Sequence, residues 1–198
     1  MRTLAILLLV LSACAPPRAQ RHQIARTAPP MPPAPSPLLF SFDDGVAGWD
    51  IQNDGVMGGK SKGYVEGEDG TLVFTGHTVT DGGGFTSVIA PIRRDLTGYE
   101  GVELRVRGGG RTFELDVDDG TRQGSREVGR RGTFPTSDRW QTVRVAFADL
   151  ETTVHGEPIT VDPLDPAAVQ AIGLYIIDGQ DGPFRLEVDW MRAYRADG

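Results

Sequence analysis

Gly182-Pro183-Phe184-Arg185-Leu186-Glu187-Val188-Asp189-Trp190 is the stretch from which the fold can be read. Phe184, Leu186, Val188 and Trp190 alternate with Arg185, Glu187 and Asp189. A period of two puts neighbouring side chains on opposite faces of an extended strand, so this one is half-buried, apolar on one side and charged on the other. The same alternation recurs at Val102, Leu104 and Val106 against Glu103, Arg105 and Arg107, and at Val143, Val145 and Phe147 around Arg144. Further strands are expected at Leu38 to Phe42, Thr71 to Thr75, Phe85 to Ile92, Thr112 to Val117 and Ile172 to Ile177, with Gly, Asp and Pro turns between them. Asp165 and Pro166 can cap one short helical turn, Asp165 to Ala171. Many short antiparallel strands with little helix and no internal repeat give an all-β fold, a sandwich or jelly roll.

Two glycine-rich loops stand out against these strands. Trp49 to Ser61 reads WDIQNDGVMGGKS, and Asp81 to Val88 reads DGGGFTSV. Gly55, Gly58, Gly59, Gly82, Gly83 and Gly84 can take positive φ and let a ligand or another backbone come close. Trp49, Val56, Met57 and Phe85 set large apolar groups among them, which pins each loop to a core. Asn53-Asp54-Gly55 suits a tight turn through Asx hydrogen bonding. If the two loops adjoin, Asn53, Asp54 and Arg111 line a concave surface with Trp49 and Phe85, and these polar residues, with Ser87 as a further candidate, would serve binding.

The two loops, read with the strands, resemble the complex I intermediate-associated protein 30 family. The resemblance is carried by W-x-x-x-N-D-G-V-M-G-G-x-S from Trp49, F-T-G at Phe74 to Gly76, G-G-F-T-S-V at Gly83 to Val88 and L-R-V-R-G at Leu104 to Gly108. W-Q-T-V-R-V-A-F at Trp140 to Phe147, I-G-L at Ile172 to Leu174 and the opening stretch follow in the family's order, so the likeness spans about residues 39 to 194. It implies a galactose-binding-like β-sandwich, and a role in assembling respiratory complex I for mitochondrial members. The family pattern has R-G-D-G-R where this chain has Arg107-Gly108-Gly109-Gly110-Arg111, so a role that needs that Asp does not carry over to this chain, while Arg111 keeps its place.

Residues 1–13 combine Arg2, the apolar run Leu4 to Leu11 and the small residues Ser12 and Ala13. That is the make-up of a secretion signal, with a run too short to span a bilayer. Leu11-Ser12-Ala13-Cys14 resembles a bacterial lipoprotein signal, and Cys14, the single cysteine in the chain, is the expected acylated N-terminus. The other reading is a signal peptide cut near Ala13 that leaves a spare thiol. Ala15, in place of Asp, resembles the sorting signal for the outer membrane, giving an exported protein anchored on the periplasmic face. Residues 14–37 form a tether: eight of the 14 prolines and no acid lie between Ala15 and Pro37. The domain is then 38–198.

Four arginines and no acid lie in residues 1–37, which leaves the domain 16 basic and 27 acidic side chains, a formal charge of −11. Acidity of that size argues against nucleic acid. The domain has two histidines, His77 and His155, and no cysteine for nucleophilic catalysis. His77 could face Ser87 across a hairpin, or simply end a strand at the surface. The glycines match neither a dinucleotide nor a Walker loop. Asp116, Asp118 and Asp119, with Asp178 and Asp181, could supply oxygens to a structural calcium, although their spacing is not that of an EF-hand; solvated acidic loops are the plainer account. No cofactor is expected otherwise. A non-enzymatic domain that binds a protein partner is the first functional expectation. A module for envelope glycans, with Trp49, Tyr64 and Trp140 as stacking platforms, is the alternative, and a hydrolase built on paired carboxylates the third.

Overall fold

The computed structural model describes residues 36–196, less the side chains of Val56 and Met57. Cys14, the signal segment and the tether up to residue 35 lie outside the described residues. Strands follow in the order β1 (Leu38–Ser41), β2 (Asp50–Asn53), β3 (Lys62–Glu68), β4 (Thr71–Thr78), β5 (Thr86–Arg94), β6 (Gly101–Arg107), β7 (Thr112–Asp118), β8 (Arg122–Gln123) and β9 (Arg126–Glu127). They continue with β10 (Gly129–Pro135), β11 (Gln141–Ala146), β12 (Glu151–Val154), β13 (Glu157–Pro158), β14 (Val169–Ile176) and β15 (Gly182–Tyr194). One sheet runs β11-β6-β15-β4-β3, with β1 also on β15; the second runs β13-β12-β10-β7-β14-β5-β2; β8 and β9 form a separate hairpin. All pairings are antiparallel, so the expected all-β, galactose-binding-like sandwich is the architecture.

The alternation explains the layers. Val102, Leu104 and Val106 of β6 and Phe184, Leu186 and Val188 of β15 turn inward and are buried, while Arg105 and Arg185 face out. From the other sheet come Phe113, Leu115 and Val117 of β7, Phe134 of β10, and Ile172, Leu174 and Ile176 of β14. Phe184 bridges the layers, with its ring centroid 4.8 Å from that of Phe74 and 6.2 Å from that of Phe113. Edge-to-face pairs of this kind add to the stabilisation that burial already gives.

Three local expectations change. Trp190 does not continue the inward row of Phe184, Leu186 and Val188: a bulge between Val188 and Trp190 shifts the phase, and Met191 and Ala193 take the inward places. The helical turn covers only Pro166–Ala168, where the Asp165 carboxylate caps the amide of Ala167 at 3.0 Å; Val169 to Ala171 is already strand β14. Phe147 leaves β11 for a 3-10 turn, Phe147–Asp149. The polar strands β2, β3 and β10, the last two carrying glycine, went unforeseen because none shows a clear period of two.

Candidate functional site

The two glycine loops do meet, but around a buried carboxylate and not an open surface. Asp54 is fully buried at the start of a 3-10 turn, Asp54–Met57. Its Oδ1 accepts from the Ser61 amide at 3.0 Å and its Oδ2 from the Gly84 amide at 2.8 Å. Burial pushes this carboxyl up, but the amides of Gly84, Phe85 and Ser61 and the Ser61 hydroxyl outweigh it and hold its pKa below the usual carboxylate value. Asn53 is likewise spent: its Oδ1 accepts from the Gly63 amide at 2.8 Å and the Thr86 hydroxyl at 2.7 Å.

The glycines serve that hub in two ways. Gly58 has φ +86° and ends the 3-10 turn in the left-handed region. Gly83, expected to need positive φ, does not have it; a Cβ there would stand 2.5 Å from Asp54 Oδ2, so close approach is the constraint. Gly59 abuts the same carboxylate, and Gly84 takes φ +115° as it presents its amide to Asp54. Gly55 has no positive φ.

Several other expected site residues are held by contacts within the fold as well. Trp49 is buried against Phe40 and Phe42, at 4.9 and 5.8 Å between ring centroids. Arg111 is clamped: its Nε and Nη2 bond the two Asp178 oxygens at 2.6 and 2.7 Å, and Nη1 donates to the Pro183 carbonyl at 3.0 Å. Burial opposes ionisation of Asp178, yet Arg111 holds its carboxyl below the ordinary range. Asp181 accepts from the Thr80 amide at 2.6 Å. Asp119 is shut inside with Arg130, whose Nε lies 3.2 Å from Asp119 Oδ2. The acidic clusters therefore separate, and no group of three or more His, Cys, Asp or Glu among the described residues is placed to hold a metal ion. His77 lies on β4 between Lys62 and Pro183, in the sheet opposite Ser87, so the two do not face each other. The side chain of Met57 lies outside the described residues. Tyr64, 57% exposed, belongs to β3, and Trp140 lies beneath the guanidinium groups of Arg105 and Arg107, at 5.6 and 5.1 Å.

A cleft of about 760 Å³ lies over the outer face of the seven-stranded sheet, and a smaller one of about 550 Å³ is lined by Arg107, Arg111 and Glu187. Registered rows cross the floor of the larger cleft: Ile89, Gly173, Asp116 and Arg131 lie side by side on β5, β14, β7 and β10. The hairpin residues Arg122, Arg126 and Glu127, the turn at His155 and Gly156, and the loop carrying Gly82, Gly83 and Phe85 stand around it. Gln52, Asp118, Thr153, Tyr175 and Ile177 complete much of the lining. Ser87, buried, is paired in register with both Gln52 and Tyr175. Of the expected residues the cleft gathers Gly83, Phe85, Asp116 and Asp118.

At its centre the Phe85 and Tyr175 rings lie 6.5 Å apart and 23° from parallel, and the Arg131 guanidinium sits 4.1 Å over the Tyr175 ring. Arg131 is also 3.5 Å from Asp116 and 3.7 Å from Glu114. Burial pushes the Asp116 carboxyl up to about 6, with Arg131 and the Arg130 amide opposing and Asp118 adding to the rise. Burial also raises Glu114 and the Tyr175 phenol; the Asp116 charge adds to the phenol's shift and Arg131 opposes both. Apolar surface with a few poised charges suits binding. Among the described residues His155 is at the rim and exposed.

Sequence reasoning missed Gln52, Ile89, Arg122, Arg126, Arg131, Tyr175 and His155 as a group, since they come from six separate stretches of chain. The one local signal was Gly129-Arg130-Arg131-Gly132: adjacent arginines on a strand must face opposite ways, one into the core and one out.

The family model described as complex I intermediate-associated protein 30 (CIA30) matches residues 38–188. No curated protein matches the chain in sequence. Among solved structures, it is similar to a family 11 carbohydrate-binding module from Clostridium thermocellum in complex with a β-1,3-1,4-mixed-linked tetrasaccharide. There the TM-score is 0.62 at 14% identity over 80% of this chain and 95% of that one. The family 11 module of a cellulosomal cellulase of the same organism gives 0.62 at 13% identity, covering 81% and 95%. An exo-β-agarase gives 0.51 at 14%, covering 82% of this chain and 26% of its own. Identities this low speak to the fold.

Proposed function

Since the chain belongs to the complex I intermediate-associated protein 30 family over residues 38–188, we propose that it is a non-catalytic, assembly-factor-like domain that takes a protein partner in its concave cleft. The observation that carries this reading is the cleft itself, about 760 Å³ with Phe85 and Tyr175 stacked among charged side chains on a rigid sheet. Aromatic and arginine anchors in a concave, partly desolvated setting are what protein interfaces concentrate their binding energy on. Acylation at Cys14 would hold the domain at the outer membrane's periplasmic face, with residues 14–37 as tether. No helix among the described residues is long and apolar enough to cross a membrane.

A glycan is the second reading, supported by the Phe85–Tyr175 pair beside Gln52 and Asp118, since rings and hydrogen-bonding side chains also recognise sugars. Capture from solubilised membranes of the producing cells, run beside a glycan array, separates the two. A membrane protein should be retained by the native chain and its retention should fall about tenfold with Phe85→Ala, the loss of one moderate anchor. Retention by Phe85→Ala at native strength would move the site off the cleft, and array binding with no captured protein would favour the glycan.

A further inference from the structure

We propose that Arg131 reads a carboxylate of the bound partner, so that the cleft accepts an extended protein segment whose Asp or Glu side chain docks on this guanidinium; this rests on the cleft being the working surface. The domain's arginines differ in how far their donors are used. Arg111 is saturated, with two bonds to Asp178 and others to carbonyls. Arg107, Arg185 and Arg192 bond directly to Glu187 or Glu103. Arg131 approaches its acids only at 3.5 and 3.7 Å, beyond the roughly 2.7–2.9 Å of a charge-assisted hydrogen bond. Its Nε is buried and, among the described residues, has no hydrogen-bond partner. Arg130 Nε shares that lack, but its side chain is 2% exposed and closed to any ligand.

A guanidinium stacked on a ring and not drawn tight by its neighbours presents a planar fork, and a carboxylate is the acceptor that matches it two bonds at a time. The charges that line the cleft cancel, Arg122, Arg126 and Arg131 against Asp116, Asp118 and Glu127, so that an incoming carboxylate competes with Asp116 and Glu114 for Arg131 and meets no net negative lining. Asp116 is the competitor. It faces Arg131 and the Arg130 amide from β10, Asp118 on its own strand, and Tyr175 from β14, while Glu114, with Glu151 near it, approaches Arg131 at 3.7 Å. With its carboxyl raised to about 6, Asp116 is mostly neutral at pH 5 and leaves Arg131 to the ligand, whereas at pH 7.5 it is ionised and contests it.

The test is an NMR titration of the mature chain, as its Cys14→Ser form to keep it in solution, with three probes: an acetylated, amidated tetraglutamate, the matching tetraglutamine, and tetragalacturonate. Tetraglutamate should shift the Arg131 Nε–Hε signal and the amides of Asp116 and Tyr175, with a Kd at least about threefold weaker at pH 7.5 than at pH 5. Arg131→Gln should weaken it about tenfold, and Arg131→Lys, which keeps the charge but loses the fork, should also weaken it. Equal shifts from tetraglutamine, none at Arg131, or undiminished binding to Arg131→Gln overturns the proposal; shifts from tetragalacturonate alone assign the cleft to an acidic glycan instead. If Phe85→Ala abolishes partner capture while tetraglutamate fails, the cleft reading stands and this inference falls.

Discussion

Asp119→Ala should lower stability by about 3–5 kcal/mol, because it strands the Arg130 guanidinium inside the protein. Both side chains are almost completely buried, at 2% and 1% exposure, so solvent cannot replace the lost partner. Asp119 also accepts from the Thr121 amide at 2.9 Å and the Asp165 amide at 3.0 Å, tying the end of β7 to the segment before β14. Urea denaturation of Asp119→Ala against the native chain measures the loss. The double change Asp119→Leu with Arg130→Met should recover much of it, since a buried pair replaced by apolar groups of similar volume is often neutral. A single change costing under about 1 kcal/mol would mean that water reaches Arg130.

Asp54→Ala should cost about 2–5 kcal/mol by leaving buried amides, those of Ser61 and Gly84, without acceptors. Against a total stability of roughly 5–15 kcal/mol, that is enough to unfold a marginal domain. Asp54→Asn keeps one acceptor oxygen and should cost less. The pH dependence has a definite sign. The folded carboxyl is held below its ordinary value, so its contribution is complete above the unfolded value near 3.9 and is lost as pH falls through the folded one. The gap between native and Asp54→Asn stability should therefore be constant from about pH 5 to 8 and close in stronger acid. A gap that widens on acidification would contradict the hub.

These two carboxylates mark how far the sequence could be read. The alternation around Leu104 and Leu186 is a one-dimensional signal of a two-sided strand, and it placed the core correctly. It failed at Trp190 because a bulge changes phase without changing residue type. Asp54 looked like an exposed turn residue because the amides that bury its charge come from Ser61 and Gly84, seven and thirty residues away. The family motif around Asn53 and Asp54 thus marks a structural junction, and Gly83 is small because the carboxylate touches it. The cleft was the least legible feature. Its floor is a row across four strands, and registers between strands distant in sequence are not written in any one of them. Arg131 reads like any surface arginine until Tyr175, Asp116 and Glu114 are brought around it.

The claim that the concave cleft is where this domain meets its partner is tested most directly by photo-crosslinking in the producing cells. p-Benzoylphenylalanine is placed at position 85, in the cleft, or at position 64, where Tyr64 stands exposed on the other sheet. Irradiation should give a discrete crosslink to a membrane protein from position 85 and none from position 64. A crosslink from position 64 with none from position 85 would put the working surface on the six-stranded sheet and contradict the account.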